Sequence, residues 1–285
     1  MKRILAIVTV AVIAGVVIAV MGQRVHAGEE PTAPAGQDAP KPAAVATEEQ
    51  KADNGMAAMK KAADAKKYLF VFFYAKENEQ ADAFKKSFES AAAKLGDKAL
   101  WATVDKALTS ENEIVEKFGL KNAPASLVLA IAPNGAVTGN YQGESSEQRL
   151  LDMMVSPCLQ GCLKGLQQGK IVFLCAQNRK TKLNDAAMQG VNEFLADARF
   201  AKVTEVVGVD PSDAGEVKLM TQLNIDPKGD QAITILLAPP GGVVAKVAGP
   251  TSKDAFIAAM QKATSGACGA GGCGPKGCAP PTPAK

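Results

Sequence analysis

One pattern occurs twice between residues 50 and 265, and this internal repeat limits the folds that the chain can adopt. Each copy begins with an apolar run of strand length, over residues 68–75 in the first copy and 170–176 in the second. Each continues with a helical pattern, a second strand, a further helix, a hairpin and a closing helix. The two hairpin turns contain Gly135 and Gly241, which lie 106 residues apart. The repeat therefore predicts two α/β domains of similar fold.

Smaller signals inside the two copies predict where helices begin and end. Phe84, Phe88 and Leu95 recur at helical spacing, and Gly96 is well placed to end that helix. A capping box, in which an N-cap side chain and a glutamate three residues later exchange hydrogen bonds, predicts the start of the following helix in each copy. The pairs that fit this box are Ser110 with Glu113 in the first copy and Asp213 with Glu216 in the second.

The order β-α-β-α-β-β-α in each half resembles the thioredoxin family, and the resemblance covers both halves. Its most specific mark is the sequence Asn-Ala-Pro-Ala around Pro124, just before the hairpin, where the family places a cis-proline beside its active site. The second copy has Gln231 and its neighbours in that place and lacks the proline. The resemblance implies an α/β fold class, with two tandem thioredoxin-like domains, each a central mixed sheet flanked by helices.

The resemblance does not extend to the redox centre of the family. Thioredoxins carry Cys-x-x-Cys at the end of the first strand and the start of the next helix, where the helix N-terminus favours a thiolate. Residues 74–81 of the first copy contain no cysteine, and the second copy has only Cys175, which aligns with Tyr74. The family's buried acid falls on Phe72 and Phe173. Both copies therefore resemble thioredoxin-like domains without the usual thiol pair.

The resemblance still implies one feature of the family in a domain without the thiol pair, which is a groove that binds extended peptides. In this sequence the groove lies beside Pro124. The residues predicted to line it are Tyr74, Asn78, Ala123 and Pro124.

The first residues of the chain predict export from the cytoplasm. Lys2 and Arg3 precede an uncharged apolar run over residues 4–21, and small residues in the spacing that a signal peptidase recognises follow it. The run fits either a cleaved signal peptide or an uncleaved membrane anchor, which would make the membrane a partner. In both cases the rest of the chain is predicted to be periplasmic or otherwise extracytoplasmic.

The sequence predicts five segments. They are a signal peptide or membrane anchor over 1–27, a Pro/Ala-rich linker over 28–50, a thioredoxin-like domain over 51–155, a connecting helix with a second thioredoxin-like domain over 156–264, and a flexible Cys/Gly/Pro-rich tail over 265–285.

Composition excludes several classes of function. The only histidine is His26, so the two repeats hold no histidine for a catalytic triad or a histidine-ligated metal. The net charge of +3 is accounted for by Lys2, Arg3 and Arg24, and the remainder is neutral. Because no basic stripe is present, nucleic acid is not an expected partner. The expected partner is another envelope polypeptide.

The six cysteines leave three interpretations open. Cys158 and Cys162 lie one helical turn apart on a face that Gly165 and Gly169 continue, and a face of such small residues allows another segment to approach closely. Cys175 is expected to be a buried small apolar residue. The tail cysteines are Cys268, Cys273 and Cys278. These groups suit structural disulfides, a site for a soft metal such as Cu(I) or Zn(II), or a reactive thiol pair.

Three functional hypotheses follow. The first is a polypeptide-binding or scaffold protein without redox activity, with or without a soft metal bound by the tail. The second is an atypical thiol–disulfide oxidoreductase that uses Cys158 and Cys162 together with the tail cysteines, and exchange of this kind requires a thiol of low pKa. The third is a carrier or buffer of Cu(I) or Zn(II).

Overall fold

The computed structural model describes residues 51–52, 54–75 and 79–265 of the chain. These residues divide into two compact units, here called domain 1 and domain 2, with the division between Met154 and Val155. The predicted signal or anchor segment, the linker, Asn78 and the three tail cysteines lie outside the described residues. Ser265, assigned to the tail from the sequence, is the last residue of a helix. Across these ranges, no helix combines the length and apolar character needed to cross a membrane.

Domain 1 is built on a sheet of five strands with helices packed against it. Its strands are β1 (Lys51–Ala52), β2 (Tyr68–Tyr74), β3 (Ala99–Asp105), β4 (Ser126–Ile131) and β5 (Val137–Tyr141). Its helices are α1 (Gly55–Asp64), α2 (Glu79–Ala93), α3 (Asn112–Lys117) and α4 (Glu147–Asp152). The strands lie in the order β1-β3-β2-β4-β5, and β2 pairs parallel with β3 and antiparallel with β4.

Domain 2 repeats this plan with four strands. Its helices are α5 (Pro157–Gln167), α6 (Asn184–Ala196), α7 (Val217–Gln222) and α8 (Lys253–Ser265). Its strands are β6 (Ile171–Ala176), β7 (Thr204–Val209), β8 (Ile233–Ala238) and β9 (Gly242–Ala248). They lie in the order β7-β6-β8-β9, and β6 pairs parallel with β7 and antiparallel with β8.

The predicted order of elements is confirmed in both domains. From β2 to α4, and again from β6 to α8, the order is β-α-β-α-β-β-α. Gly135 and Gly241 occupy the hairpin turns with φ of 82° and 143°, and Gly96 follows α2 with φ of 54°, conformations that residues with a Cβ rarely adopt. Two mixed sheets flanked by helices fit two thioredoxin-like domains.

Helix α5, assigned from the sequence to the connecting helix of the second domain segment, packs on the sheet of domain 2. Cys162 and Leu166 bury its inner face in the core beside β6 and β7. The predicted close approach is confirmed, because a Cβ atom added at Gly165 would lie 2.7 Å from Cγ2 of Val172. Gly169, predicted to continue that face, instead follows the helix end with φ of 75°. The equivalent helix of domain 1 is α1, which the repeat pattern did not predict.

The predicted capping boxes are wrong. In domain 1 the helix begins at Asn112, after a short 3-10 turn, and Ser110 makes no side-chain cap. In domain 2 the Asp213 carboxylate accepts a hydrogen bond from the Gly215 N–H at 2.8 Å, as an N-cap does. Glu216, however, does not return to that cap. A buried glutamate ends the 3-10 turn of each domain instead and binds a distant helix.

Glu111 and Glu216 hold the first turns of α1 and α5. Oε2 of Glu111 accepts a hydrogen bond from the N–H of Gly55 at 3.0 Å, and Oε1 of Glu216 accepts one from the N–H of Cys158 at 3.1 Å. N–H groups in a first turn have no partner within their helix, and negative charge is stabilised there. Each carboxylate therefore joins the first helix of its domain to a segment more than 50 residues later in the chain.

We expect Glu111→Ala or Glu216→Ala to lower the free energy of unfolding by about 1–3 kcal/mol, because the first leaves the buried N–H of Gly55 and the second the partly buried N–H of Cys158 without an acceptor. Urea unfolding followed by circular dichroism measures the change. The matched control is Glu113→Ala, which removes the same charge from an exposed position in domain 1 and is expected to cost less than about 0.5 kcal/mol. Equal losses from Glu111→Ala and Glu113→Ala would show that the buried bond contributes nothing.

Candidate functional site

Strand pairing shows which residues of the two domains correspond. In domain 1, Phe70 of the central strand pairs with Trp101 on one side and Ala130 on the other. In domain 2, the residue paired with the same neighbouring strands at the same level is Phe173. Counting along the strands from these residues gives the remaining correspondences. They are Phe72 with Cys175, Tyr74 with Gln177, Trp101 with Val206, Pro124 with Asp230, Ala125 with Gln231, and Ser126 with Ala232.

Cys175 therefore corresponds to Phe72, and its predicted alignment with Tyr74 is wrong by two residues. A continuous apolar run has no internal marker of register, which explains the error. The expectation that Cys175 is a buried small apolar residue is confirmed, since it is 3% exposed and lies in a cluster with Phe173, Phe194 and Phe256. Burial raises the pKa of its thiol to about 11.

The structure brings three of the four predicted groove residues to one edge of domain 1. Tyr74 ends β2 and pairs with Ser126 at the start of β4. Ala123 is half-buried and Pro124 is exposed in the loop just before β4. The peptide bond before Pro124 is trans, unlike the cis bond that the family places there, and the one cis bond among the described residues precedes Pro240.

Lys106 fixes this loop, and sequence reasoning did not single it out. Its amine donates hydrogen bonds to the carbonyl oxygens of Ala123 at 3.1 Å and Pro124 at 2.6 Å. Burial lowers the pKa of Lys106 below its ordinary value. Because Lys106 follows β3 directly, it ties the end of that strand to the start of β4. The loop beside Pro124 is thus held in place before any ligand arrives.

A shallow depression of about 180 Å³ lies between the N-terminus of α2 and the start of β4. It is here called the domain 1 groove. Its lining residues are Gln80, Ala81, Phe84, Ala125, Ser126 and Gln142. Phe84 and the two alanines supply an apolar floor, while two amides and a hydroxyl supply hydrogen-bonding groups. An apolar floor with a few polar groups is the usual composition of a binding site.

The corresponding place in domain 2 is closed by the chain itself. Lys182, in the loop between β6 and α6, forms a parallel β-bridge with Gln231. The N–H of Lys182 donates to the carbonyl of Asp230 at 2.7 Å, and the N–H of Ala232 donates to the carbonyl of Lys182 at 3.1 Å. The Lys182 amine also lies 2.7 Å from the Asp230 carboxylate. An extended residue therefore already occupies this position.

Domain 1 differs from domain 2 at this point. Gln231 and Ala232 correspond to Ala125 and Ser126, which line the domain 1 groove. The segment before β8 is thus paired with Lys182, whereas the corresponding residues of domain 1 line a depression.

A second depression, of about 360 Å³, follows β6 and β7 in domain 2. Asn178 organises it, since its amide donates to Asp210 at 2.7 Å and to Ser212 at 3.3 Å. The hydrogen bonds that Asp210 accepts from Asn178 and from Ser212 lower its pKa below the ordinary value. Arg179 and Lys180 project from the same loop and are exposed. Its carboxylate and amide are already engaged with each other, so this depression offers less to a ligand than the domain 1 groove.

Cys158 and Cys162 face the sheet of their own domain. Sγ of Cys158 donates to the carbonyl of Gly208 at 3.3 Å, and Cys162 is 1% exposed. The pKa of Cys158 is raised to about 12, mainly by burial and to a smaller extent by the nearby Glu216 carboxylate. The pKa of Cys162 is also raised to about 12, mainly by burial and to a smaller extent by Cys158 and Glu216. Both shifts are opposite to what thiol exchange requires.

The described cysteines are free thiols. Within residues 51–52, 54–75 and 79–265, no group of three or more Cys, His, Asp or Glu side chains has the spacing to hold a metal ion. The tail cysteines Cys268, Cys273 and Cys278, to which a soft metal was assigned from the sequence, lie outside those ranges.

No family model matches the chain, and no curated protein matches it. Among solved structures, it is similar to thioredoxin from Fasciola hepatica, with 14% identity over 36% of this chain and 93% of that chain, at a TM-score of 0.29. The germline-specific thioredoxin Deadhead from Drosophila melanogaster is 22% identical over 35% of this chain and 88% of that chain, at a TM-score of 0.28. Thioredoxin f from spinach chloroplast is 14% identical over 36% of this chain and 82% of that chain, at a TM-score of 0.30.

The order of the elements and the pairing of the strands in each domain are consistent with a thioredoxin-like fold.

The raised thiol pKa values predict that the described cysteines are unreactive in the folded protein. The variant that isolates them carries Cys268→Ser, Cys273→Ser and Cys278→Ser. With a pKa of about 11 or 12, at most about one thiol in a thousand is ionised at pH 8. We expect iodoacetamide to label none of the three in the time that it labels an exposed cysteine, and to label all three in urea, as mass spectrometry measures.

The control adds Ala63→Cys, an exposed position on α1, to the same variant. Rapid labelling of Cys158 or Cys162 in the folded protein at pH 8 would contradict the prediction and revive the exchange hypothesis.

Proposed function

We propose that this protein binds an extended polypeptide in the domain 1 groove and acts by binding rather than by redox chemistry. The observation that carries the proposal is the contrast between the domains. In domain 2, an extended residue of the chain itself, Lys182, is paired with the segment before β8. In domain 1 the corresponding segment, around Ala125, faces the groove.

Lys182 serves as a template for the bound peptide. A peptide residue in the same position donates its N–H to the carbonyl of Pro124 and accepts the N–H of Ser126 at its own carbonyl. Lys106 already donates to the Pro124 carbonyl, and a carbonyl oxygen accepts two hydrogen bonds. Main-chain pairing of this kind provides affinity without demanding a particular sequence.

Selectivity would come from the floor of the groove. Phe84 with Ala81 and Ala125 favours an apolar side chain, and the amides of Gln80 and Gln142 suit the main chain of an extended peptide. The depression is shallow, so a small or medium apolar side chain fits better than a large aromatic one. These features suit unfolded or extended segments rather than a folded partner.

The surroundings of the groove support a function without thiol chemistry. Residues 74–81 contain no cysteine, and the pKa values of the three described thiols are raised. The proposal therefore assigns binding or scaffolding to these domains and not disulfide exchange.

The place of action that we propose is the cell envelope. Its support is the pair of cations and the apolar run over residues 4–21, which suit a signal peptide or an anchor. The polypeptide partner is then another envelope protein in an extended or partly unfolded state.

Binding to an immobilised library of short extended peptides, followed by fluorescence anisotropy on the best binders, tests the proposal with the full chain. Ala125→Trp fills the groove, and we expect it to weaken binding by at least about tenfold. Ala63→Trp makes the same change at an exposed alanine of α1 and is expected to leave binding unchanged. Circular dichroism establishes that both variants fold.

A second arm tests the main-chain pairing. N-methylation of the peptide residue that faces Ala125 removes one donor, and we expect it to weaken binding by about threefold to tenfold, the effect of one net hydrogen bond. Equal binding by Ala125→Trp and the unsubstituted protein would overturn the proposed site. Failure of every peptide to bind more tightly than about 1 mM would overturn the function.

A further inference from the structure

The amine of Lys106 has one more hydrogen-bond donor than the loop beside the domain 1 groove uses. It donates to the carbonyls of Ala123 at 3.1 Å and Pro124 at 2.6 Å, and an ammonium group has three donors. Among the described residues, no carboxylate forms an ion pair with it, and the adjacent Asp105 accepts the N–H of Ala107 at 2.8 Å. A half-buried cation whose acceptors are both neutral is stabilised by an anionic partner.

The Pro124 carbonyl limits the distance between this amine and a bound peptide. In the proposed pairing, the peptide residue that faces Ala125, here called residue X, donates its N–H to that oxygen. The Lys106 amine donates to the same oxygen at 2.6 Å. With a peptide N–H···O distance of about 2.9 Å, the two nitrogens are separated by at most about 5.5 Å. A carboxylate on the residue before X is therefore within reach of the amine.

Domain 2 contains an ion pair at the corresponding place with the opposite polarity. The occupant there is Lys182 of the chain itself, and its amine lies 2.7 Å from the carboxylate of Asp230, the residue that corresponds to Pro124. Counting along the strand that precedes each, Pro211 takes the place of Lys106. In domain 2 the occupant is cationic and the segment before β8 is anionic. In domain 1 the cation belongs to the groove, so a matching occupant is anionic.

Helix α2 brings a second cation to this edge and directs its first acids away. The amine of Lys85 lies 5.4 Å from the centre of the Tyr74 ring. The acids of the first turn are Glu79 and Asp82. At 3.6 residues per turn they lie about 140° and 160° around the helix from Phe84, which lines the groove.

We propose that the domain 1 groove selects peptides with aspartate or glutamate immediately before residue X, and that Lys106 pairs with this acid. This selectivity rests on the proposed peptide binding and names the chemistry of the partner. Successive side chains of an extended peptide point to opposite sides, so an acid before X leaves the side chain of X to the apolar floor. The partner is an extended segment in which an acid precedes a small or medium apolar residue.

Fluorescence anisotropy of the full chain with paired synthetic peptides tests this selectivity. Each fluorescein-labelled peptide consists of threonine and serine with a single valine, and carries glutamate or glutamine immediately before the valine. Because valine is its one apolar residue, it takes the place of X. We expect the glutamate peptide to bind about threefold to tenfold more tightly at low salt, and this advantage to shrink as salt rises from about 20 to 500 mM.

An isomeric peptide controls for net charge. It carries the glutamate three residues after the valine, where Lys106 is out of reach, and has the same composition as the glutamate peptide. We expect it to bind no more tightly than the glutamine peptide.

Lys106→Gln separates recognition of the acid from support of the loop. A glutamine amide has two N–H donors for the two loop carbonyls but no charge. We expect this variant to bind the glutamate and glutamine peptides equally. Lys60→Gln, the same change at an exposed position of α1, is the matched control and is expected to keep the full preference. Circular dichroism establishes that both variants fold.

Glu77 lies outside the described residues, so the peptide series is repeated with Glu77→Gln. We expect the preference for glutamate to be unchanged. A preference that appears only in this variant would overturn the proposal, because Glu77 would then be the native partner of Lys106.

Equal binding of the two peptides by the unsubstituted chain would overturn the selectivity and leave the proposed binding function intact. A preference that survives in Lys106→Gln would also overturn it, because Lys106 would then only support the loop. If no peptide binds more tightly than about 1 mM, with or without the glutamate, the proposed function itself fails and the selectivity fails with it.

Discussion

Each domain depends on one strand that is paired along both edges. β2 and β6 each have a parallel neighbour on one side and an antiparallel neighbour on the other, and both are buried along almost all of their length. This pairing brings the end of the central strand beside the start of β4 or β8. The domain 1 groove and its filled counterpart both lie there, in the crevice that α/β sheets commonly use for ligands.

Much of this architecture was predictable from the sequence, and the misses have physical causes. The order of elements followed from apolar runs and turn glycines, which are local signals. The roles of Glu111 and Glu216 were not predictable, because their partners lie more than 50 residues away and a buried carboxylate looks like a capping residue in the sequence. The bridge made by Lys182 was equally hidden, since main-chain pairing leaves no mark on residue type. The raised pKa values of Cys158 and Cys162 depend on burial against a sheet that the sequence did not place under α5.

The two copies have diverged in opposite directions at two places. In domain 1 the segment before β4 lines a depression and β3 pairs with β1, whereas in domain 2 the segment before β8 pairs with Lys182 and, among the described residues, β7 pairs with β6 alone. The buried glutamate that holds the first helix is common to both. The scaffold has therefore been kept while the pairing around the segment before β4 or β8 and beside β3 or β7 differs between the copies.

The closure of domain 2 has a consequence for how this protein changes over evolutionary time. Its two bonds involve only main-chain atoms of Lys182, Asp230 and Ala232, so almost any residue at position 182 preserves them. Proline is the exception, because it has no N–H. Sequence drift at position 182 is consequently neutral over a wide range. Two descendants with unrelated residues there would both keep the domain closed, and an alignment of their sequences would not reveal it.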